Sequence, residues 1–133
     1  MEDSIFTKII NGEIPCHRIY EDDKTLAFLD IFPRNTGHAL VIPKVSPTEF
    51  VWDLDNDTYS AVMNTAQKVA LRLREVLDYP YVHSAVVGTD VPYAHVHLVP
   101  FATSADLHKP QRCDIEPDHI SLSTLADKLR FND

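Results

Sequence analysis

Residues 25–44 read "TLAFLDIFPRNTGHALVIPK". Two apolar runs, Thr25–Ile31 and His38–Lys44, flank "FPRNTG", a stretch made of turn formers and breakers. Each run predicts a strand, the second stopped at Pro43. A short link between consecutive strands makes the pair antiparallel. Upstream, "IPCHRIYED" reads as another strand, and "EDDK" is a good hairpin turn into Thr25. Before it, "SIFTKIINGE" predicts a short helix capped by Asp3 or Ser4. Ile5, Phe6, Ile9 and Ile10 fall on one face, and Gly12 is its stop.

Downstream, apolar residues from Tyr59 to Leu77 recur every three or four positions, which predicts one long helix over 57–78. "LDYPY" breaks it, and "VHSAVVG" and "YAHVHLVP" are two further strands joined by "TDVP". "ATSADLHKPQRCDIEPD" reads as loop, and a short helix from about Ser121 presents Leu122, Leu125 and Leu129 on one side. Five strands joined mostly by short turns, with one long and one short N-terminal helix, predict an α+β fold on a mostly antiparallel sheet. We expect one domain over 1–133, with a core at about 4–101 and a tail from 102.

The formal net charge is −8. That disfavours nucleic acid, which needs a basic surface, but not a small phosphate ligand held locally. Cys16 and Cys113 form no CxxC pair and read as free thiols of a reducing compartment. No stretch approaches membrane-spanning length, and the acidic start "MEDSIF" is unlike a secretory signal. The expectation is a soluble, cytoplasmic protein.

"YAHVHLVP", residues 93–100, places chemistry in a strand. Alternation puts Tyr93, His95, His97 and Val99 on one face, with Ala94, Val96 and Leu98 toward a covered core. The two imidazoles then stand roughly 7 Å apart along the strand. His38 opens another strand directly after Gly37, which allows close approach of a ligand or another backbone. The histidines could tile a half-exposed face. They could bind a metal, with His38 or His83 as a further ligand. Or one neutral imidazole could attack phosphorus while the other supports it. Spacing leaves all three open.

The blocks "NGEIP", "YEDD", "AFLDI" and "GHALVIPK", followed by "GTDVPYAHVHLVP", resemble the histidine triad (HIT) family, in particular its Hint-like branch, over roughly residues 4–101. The resemblance implies a nucleotide-binding hydrolase that cleaves a phosphoramidate or related nucleotidyl bond through a covalent nucleotidyl-histidine. It makes His95 the nucleophile. His97 and His38 are its supports, and Tyr93 stands where the family's first motif histidine would be. It implies that Asp30 binds ribose, that Phe28 and Ile31 lie beside the base, and that Ile5, Phe6 and Ile9 wall it. Gly88, Thr89, Asp90 and Val91 form the loop by the phosphate, with Gly88 permitting a tight approach. The partner implied is a purine nucleotide, AMP- or GMP-like, and the assembly a homodimer with a continuous sheet. No metal or other cofactor is implied. Ser4 and Thr7 stand where many relatives carry zinc-binding cysteines, and Val45–Ser46 where they carry a histidine. A phenol stays neutral near pH 7, so Tyr93 raises the alternative of a nucleotide-binding protein with little turnover.

Overall fold

The computed structural model describes residues 4–46 and 48–131. Asp3, one of the two candidate caps, lies outside them. Ser4 caps helix α1 (Ile5–Ile10) in a capping box with Thr7, each side chain serving the other's backbone N–H. The Ser4 and Thr7 hydroxyls thus cap the first helix.

Five strands follow: β1 (Arg18–Glu21), β2 (Thr25–Leu29), β3 (Ala39–Pro43), β4 (Tyr81–Ala85) and β5 (Val96–Phe101). They form one sheet in the order β1-β2-β3-β5-β4, every neighbour antiparallel. Helix α2 (Asn56–Val76), N-capped by Asp55, connects β3 to the outer strand β4. A short 3-10 turn at Val51–Asp53 precedes it. The chain then returns through β5 between β3 and β4.

Several boundaries differ from the sequence expectation, β4 for instance ending at Ala85 and not at Gly88. β5 begins at Val96, so Tyr93, Ala94 and His95 precede the ladder although all three are buried. The segment expected to be loop after Phe101 contains a single-turn helix, α3 (Ser104–Leu107), capped by a Thr103–Asp106 box. The last helix, α4 (His119–Leu129), begins two residues early because Asp118 accepts from the Ser121 N–H.

Both faces of β2 and β3 are buried. On one face Ala27, Leu29, Ala39, Val41, Val96 and Leu98 pack under α2 and α4, against Val62, Val69, Leu73 and Leu129. Each large aliphatic side chain buried this way contributes about 1.5–3 kcal/mol. On the other face Leu26, Phe28, Leu40, Ile42 and Tyr93 pack against Phe6 of α1. Leu40 pairs with His97 across the β3–β5 ladder, which puts His97 on this second face. The helix-covered layer therefore supplies rigidity, and the opposite layer carries the titratable groups.

Gly37 is required by packing. Its φ is +89°, and a Cβ there would lie 2.5 Å from Leu77 and 3.0 Å from Pro100. The close approach expected at this glycine is thus made by the protein's own core and not by a ligand. It fixes where His38 enters β3.

Candidate active site

His38, His95 and His97 are all buried, on the entry to β3 and the start of β5. Their hydrogen bonds determine their tautomers. The backbone N–H of Arg34 donates to His38 Nδ1 at 2.9 Å, so the proton of neutral His38 is on Nε2. That Nε2 lies 3.0 Å from His97 Nδ1 and donates to it. His97 therefore carries its own proton on Nε2, facing Asp90 Oδ2 at 3.5 Å. His95 Nδ1 is 2.6 Å from the Tyr93 carbonyl, which can only accept, so Nδ1 is protonated, and Nε2 lies 3.1 Å from Asp90 Oδ1. The rings of His95 and His97 are 5.0 Å apart at 66°. The geometry is one imidazole with its outer nitrogen free of backbone, beside a second whose N–H is aimed the same way.

A sequence model of the HIT domain matches residues 11–103. The chain belongs to the HIT family. It is 53% identical over 108 residues to a HIT-like protein of Helicobacter pylori, covering 79% of this chain and 99% of that one. It is 33% identical over 97 residues to the adenosine 5′-monophosphoramidase hnt1 of Schizosaccharomyces pombe, covering 72% of each. The crystal structure of a HIT-like protein from Bartonella henselae superposes with a TM-score of 0.80 at 32% identity, over 96% of this chain and 95% of that one.

Within this HIT domain, burial keeps His38 and His97 neutral. His38 is pushed down to about 3, first by burial and then by His97 and Arg34. His97 is pushed down to about 4 by burial and by His95. The Asp90 carboxyl lies below its usual range. Burial pulls it upward, but its attraction to His95, backbone hydrogen bonds and His97 together outweigh that.

Tyr93 shares the histidine face, as strand alternation expects, but its side chain is not joined to the relay. Its hydroxyl donates to the Pro43 carbonyl at 2.5 Å, and burial raises it to about 12. Only the Tyr93 backbone carbonyl touches the His95 ring. The residues expected around a nucleoside are partly dispersed. Phe6 sits edge-on to Phe28 and Tyr93, and 5.1 Å from the His95 ring. Ile9 and Val91 pack on the same cluster. Ile5 is 47% exposed, and Ile31 joins the other core, under α4. Asp30 directly follows β2 and accepts from the Phe32 N–H on Oδ1 at 2.8 Å. Burial raises its pKa, opposed by hydrogen bonds from Phe32 and Gln111. Thr89 is exposed. Gly88 has φ +84°, and a Cβ there would lie 2.8 Å from the Phe50 ring, so the tight approach that the sequence assigned to phosphate is occupied by Phe50.

A cavity of about 270 Å³ opens beside the relay, lined by Arg34, His38, His83, Asp90, His97 and Gln111 among others. A larger open hollow of about 600 Å³ between the β1–β2 turn and α2 holds no histidine or cysteine. Gln111 is a site residue the sequence did not reveal. Its amide donates to Asp30 Oδ2 at 3.1 Å and to the Phe32 carbonyl at 2.9 Å. Lys109 reaches Asn35, and Arg34 reaches the Lys109 carbonyl, so the tail is bound to the β2–β3 loop. His83 pairs with Val99, and this register puts it on the relay's face.

Donor atoms of Asp30, His38 and His97 lie within 4.8 Å of one another, as do those of Asp90, His95 and His97. A cation could use that spacing. The first set, however, already spends His38 Nε2 and His97 Nδ1 on each other, and the second set includes a protonated His97 Nε2. These donors fit a hydrogen-bonded relay better than a metal centre.

Proposed function

We propose that this HIT domain hydrolyses a nucleotidyl bond at the α-phosphate, with a purine nucleoside phosphoramidate or a related nucleotidyl compound as substrate. The observation that carries this reading is the pair of positioned imidazoles, His95 with Nδ1 donating to the Tyr93 carbonyl and His97 with Nδ1 accepting from His38. His95 Nε2 attacks phosphorus and the bond to the leaving group breaks; the His97 Nε2–H hydrogen-bonds the phosphoryl and leaving-group side, and the leaving group takes its proton from solvent. Water then attacks the nucleotidyl-His95 phosphorus, loses a proton to solvent, and releases the nucleoside monophosphate and free His95. His38 holds His97 in register through its hydrogen bond to Nδ1. Asp30 takes the ribose once Gln111 yields Oδ2, and Phe6, Phe28 and Ile9 flank the base. The phosphoramidase named among the relatives supports the substrate class.

In this reading Tyr93 replaces the family's first motif histidine without breaking the reacting pair, because its hydroxyl is engaged with Pro43. That favours turnover over the alternative of a binding protein alone. The expected homodimer would use the outer side of β4, an edge strand at the end of the sheet, with exposed Tyr81. No helix among the described residues is long and apolar enough to cross a membrane.

The test is hydrolysis of a fluorogenic adenosine phosphoramidate with EDTA present. Wild type should turn over, and His95→Ala should not. A wild-type protein that binds AMP but never turns over would leave the binding role instead. Inhibition by EDTA would point to a metal site.

A further inference from the structure

The group that covers the relay from the solvent side is a carboxylate. Asp90 belongs to the segment that leaves the sheet after Ala85 and rejoins it at Val96. This segment turns at Gly88, in the left-handed region and against the Phe50 ring, and brings Asp90 back over the histidines. Oδ1 lies 3.1 Å from His95 Nε2, and Oδ2 lies 3.5 Å from His97 Nε2. The Asp90 side chain is 46% exposed, whereas those of His95 and His97 are 0% and 9% exposed. One half-exposed anion thus spans the two nitrogens that a reacting phosphate must meet.

His95 Nδ1 must donate to the Tyr93 carbonyl. A carboxylate oxygen 3.1 Å from Nε2 then requires a proton between them, since two lone pairs would repel. In the free chain the attacking lone pair is therefore occupied by the Asp90 contact. The other groups around the carboxylate are Arg34, His38, His83 and Gln111 on the cavity wall, with Asp30 adding a second negative charge nearby.

We propose that Asp90 occupies the phosphate position in the free protein, is displaced by an incoming nucleotide, and selects by its charge for a singly charged phosphorus centre over a terminal phosphate. This rests on the reading of His95 and His97 given above and deepens it. A phosphoramidate or phosphodiester carries one negative charge. A nucleoside monophosphate approaches two near neutral pH, its second pKa being about 6. The displaced carboxylate stays tethered by its loop, so it repels the doubly charged product more than the substrate. The same contact then guards the nucleophile and helps expel the monophosphate.

The experiment is calorimetric titration of the full chain with adenosine, AMP and the singly charged adenosine 5′-O-methylphosphate, the guanosine series run in parallel. Wild type is compared with Asp90→Asn, Asp90→Ser and Asp90→Glu, each checked for folding by thermal melting. The neutral variants should bind AMP on the order of tenfold more tightly, because a charge a few ångströms from the phosphate has been removed. The methyl ester should gain much less and adenosine nothing, while Asp90→Glu keeps the wild-type ratio. An equal gain for AMP and its methyl ester, or no gain for either, overturns the proposal while leaving the nucleotide site intact. If no ligand of either series binds any variant, the reading of the site falls and the role of Asp90 falls with it.

Discussion

His38 and His97 are closed off beneath the sheet face, each ring nitrogen assigned by a neighbour. Asp90 and Gln111 reach the same site from loops that no strand holds. The buried pair is set by ladder register: His97 opposes Leu40, and His38 enters β3 against Gly37. The mouth is set by side chains that satisfy one another where a ligand would otherwise do so. In this HIT domain the geometry of the proposed reacting pair is built into the fold, while the mouth beside it is held by polar contacts between loop side chains. Changes in the buried half should abolish function or stability. Changes at the mouth should tune affinity.

The largest expected effect is at His95. His95→Ala removes the attacking nitrogen, and turnover should fall at least on the order of 10⁴-fold, measured under single-turnover conditions. If the variant retains more than a small fraction of wild-type rate, the reacting pair is misassigned.

His38→Ala comes next. It leaves the Arg34 N–H and His97 Nδ1 without partners in a buried site, at a cost of about 1–3 kcal/mol each. Denaturant unfolding should show that loss, and the rate should drop with it. Gly37→Ala should destabilise by a comparable route, since its Cβ would press on Leu77 and Pro100 from a left-handed backbone.

The buried relay also sets a pH limit. Unfolded histidine titrates near 6.5, while folded His38 and His97 titrate at about 3 and 4. Below pH 6.5 the unfolded chain binds more protons than the folded one, so stability falls with falling pH. The decline should run from about 6.5 down toward 4 and be shallower in His38→Ala. A flat stability profile across that window would contradict the neutral relay.

Tyr93→Phe removes one buried hydrogen bond to Pro43 and should cost about 1 kcal/mol of stability. Turnover should stay within a few-fold of wild type, because the hydroxyl touches neither histidine. A large loss of rate at unchanged stability would put the phenol back in the chemistry. The smallest effect should be Gln111→Ala, which frees Asp30 Oδ2. Nucleotide affinity should rise a few-fold with little change in melting temperature.

The sequence revealed the buried half more fully than the mouth. Strand alternation in "YAHVHLVP" puts His95, His97 and Tyr93 on one face because apolar neighbours at 94, 96 and 98 need the helix-covered side. The blocks around His38 and Asp30 were legible through their resemblance to the HIT family. What alternation cannot show is where a hydroxyl ends up: Tyr93 reads as part of a triad, yet the Pro43 carbonyl is within its reach. Gly88 reads as a phosphate loop residue, and Phe50, thirty-eight residues earlier in the chain, fills the space beside it. The tail is polar, has little periodicity and reads as loop, so nothing in it announces that Gln111 would reach Asp30. These contacts depend on loop paths across the sheet, which local pattern does not encode.

The most direct test of the central claim is a rapid-quench reaction with adenosine phosphoramidate, followed by intact mass measurement and peptide mapping. The account predicts a transient adenylyl adduct on His95, absent in His95→Ala and persisting longer in wild type when water attack is slowed at low temperature. Turnover with no adduct on His95, or an adduct on His97 or His38 in its place, would contradict it.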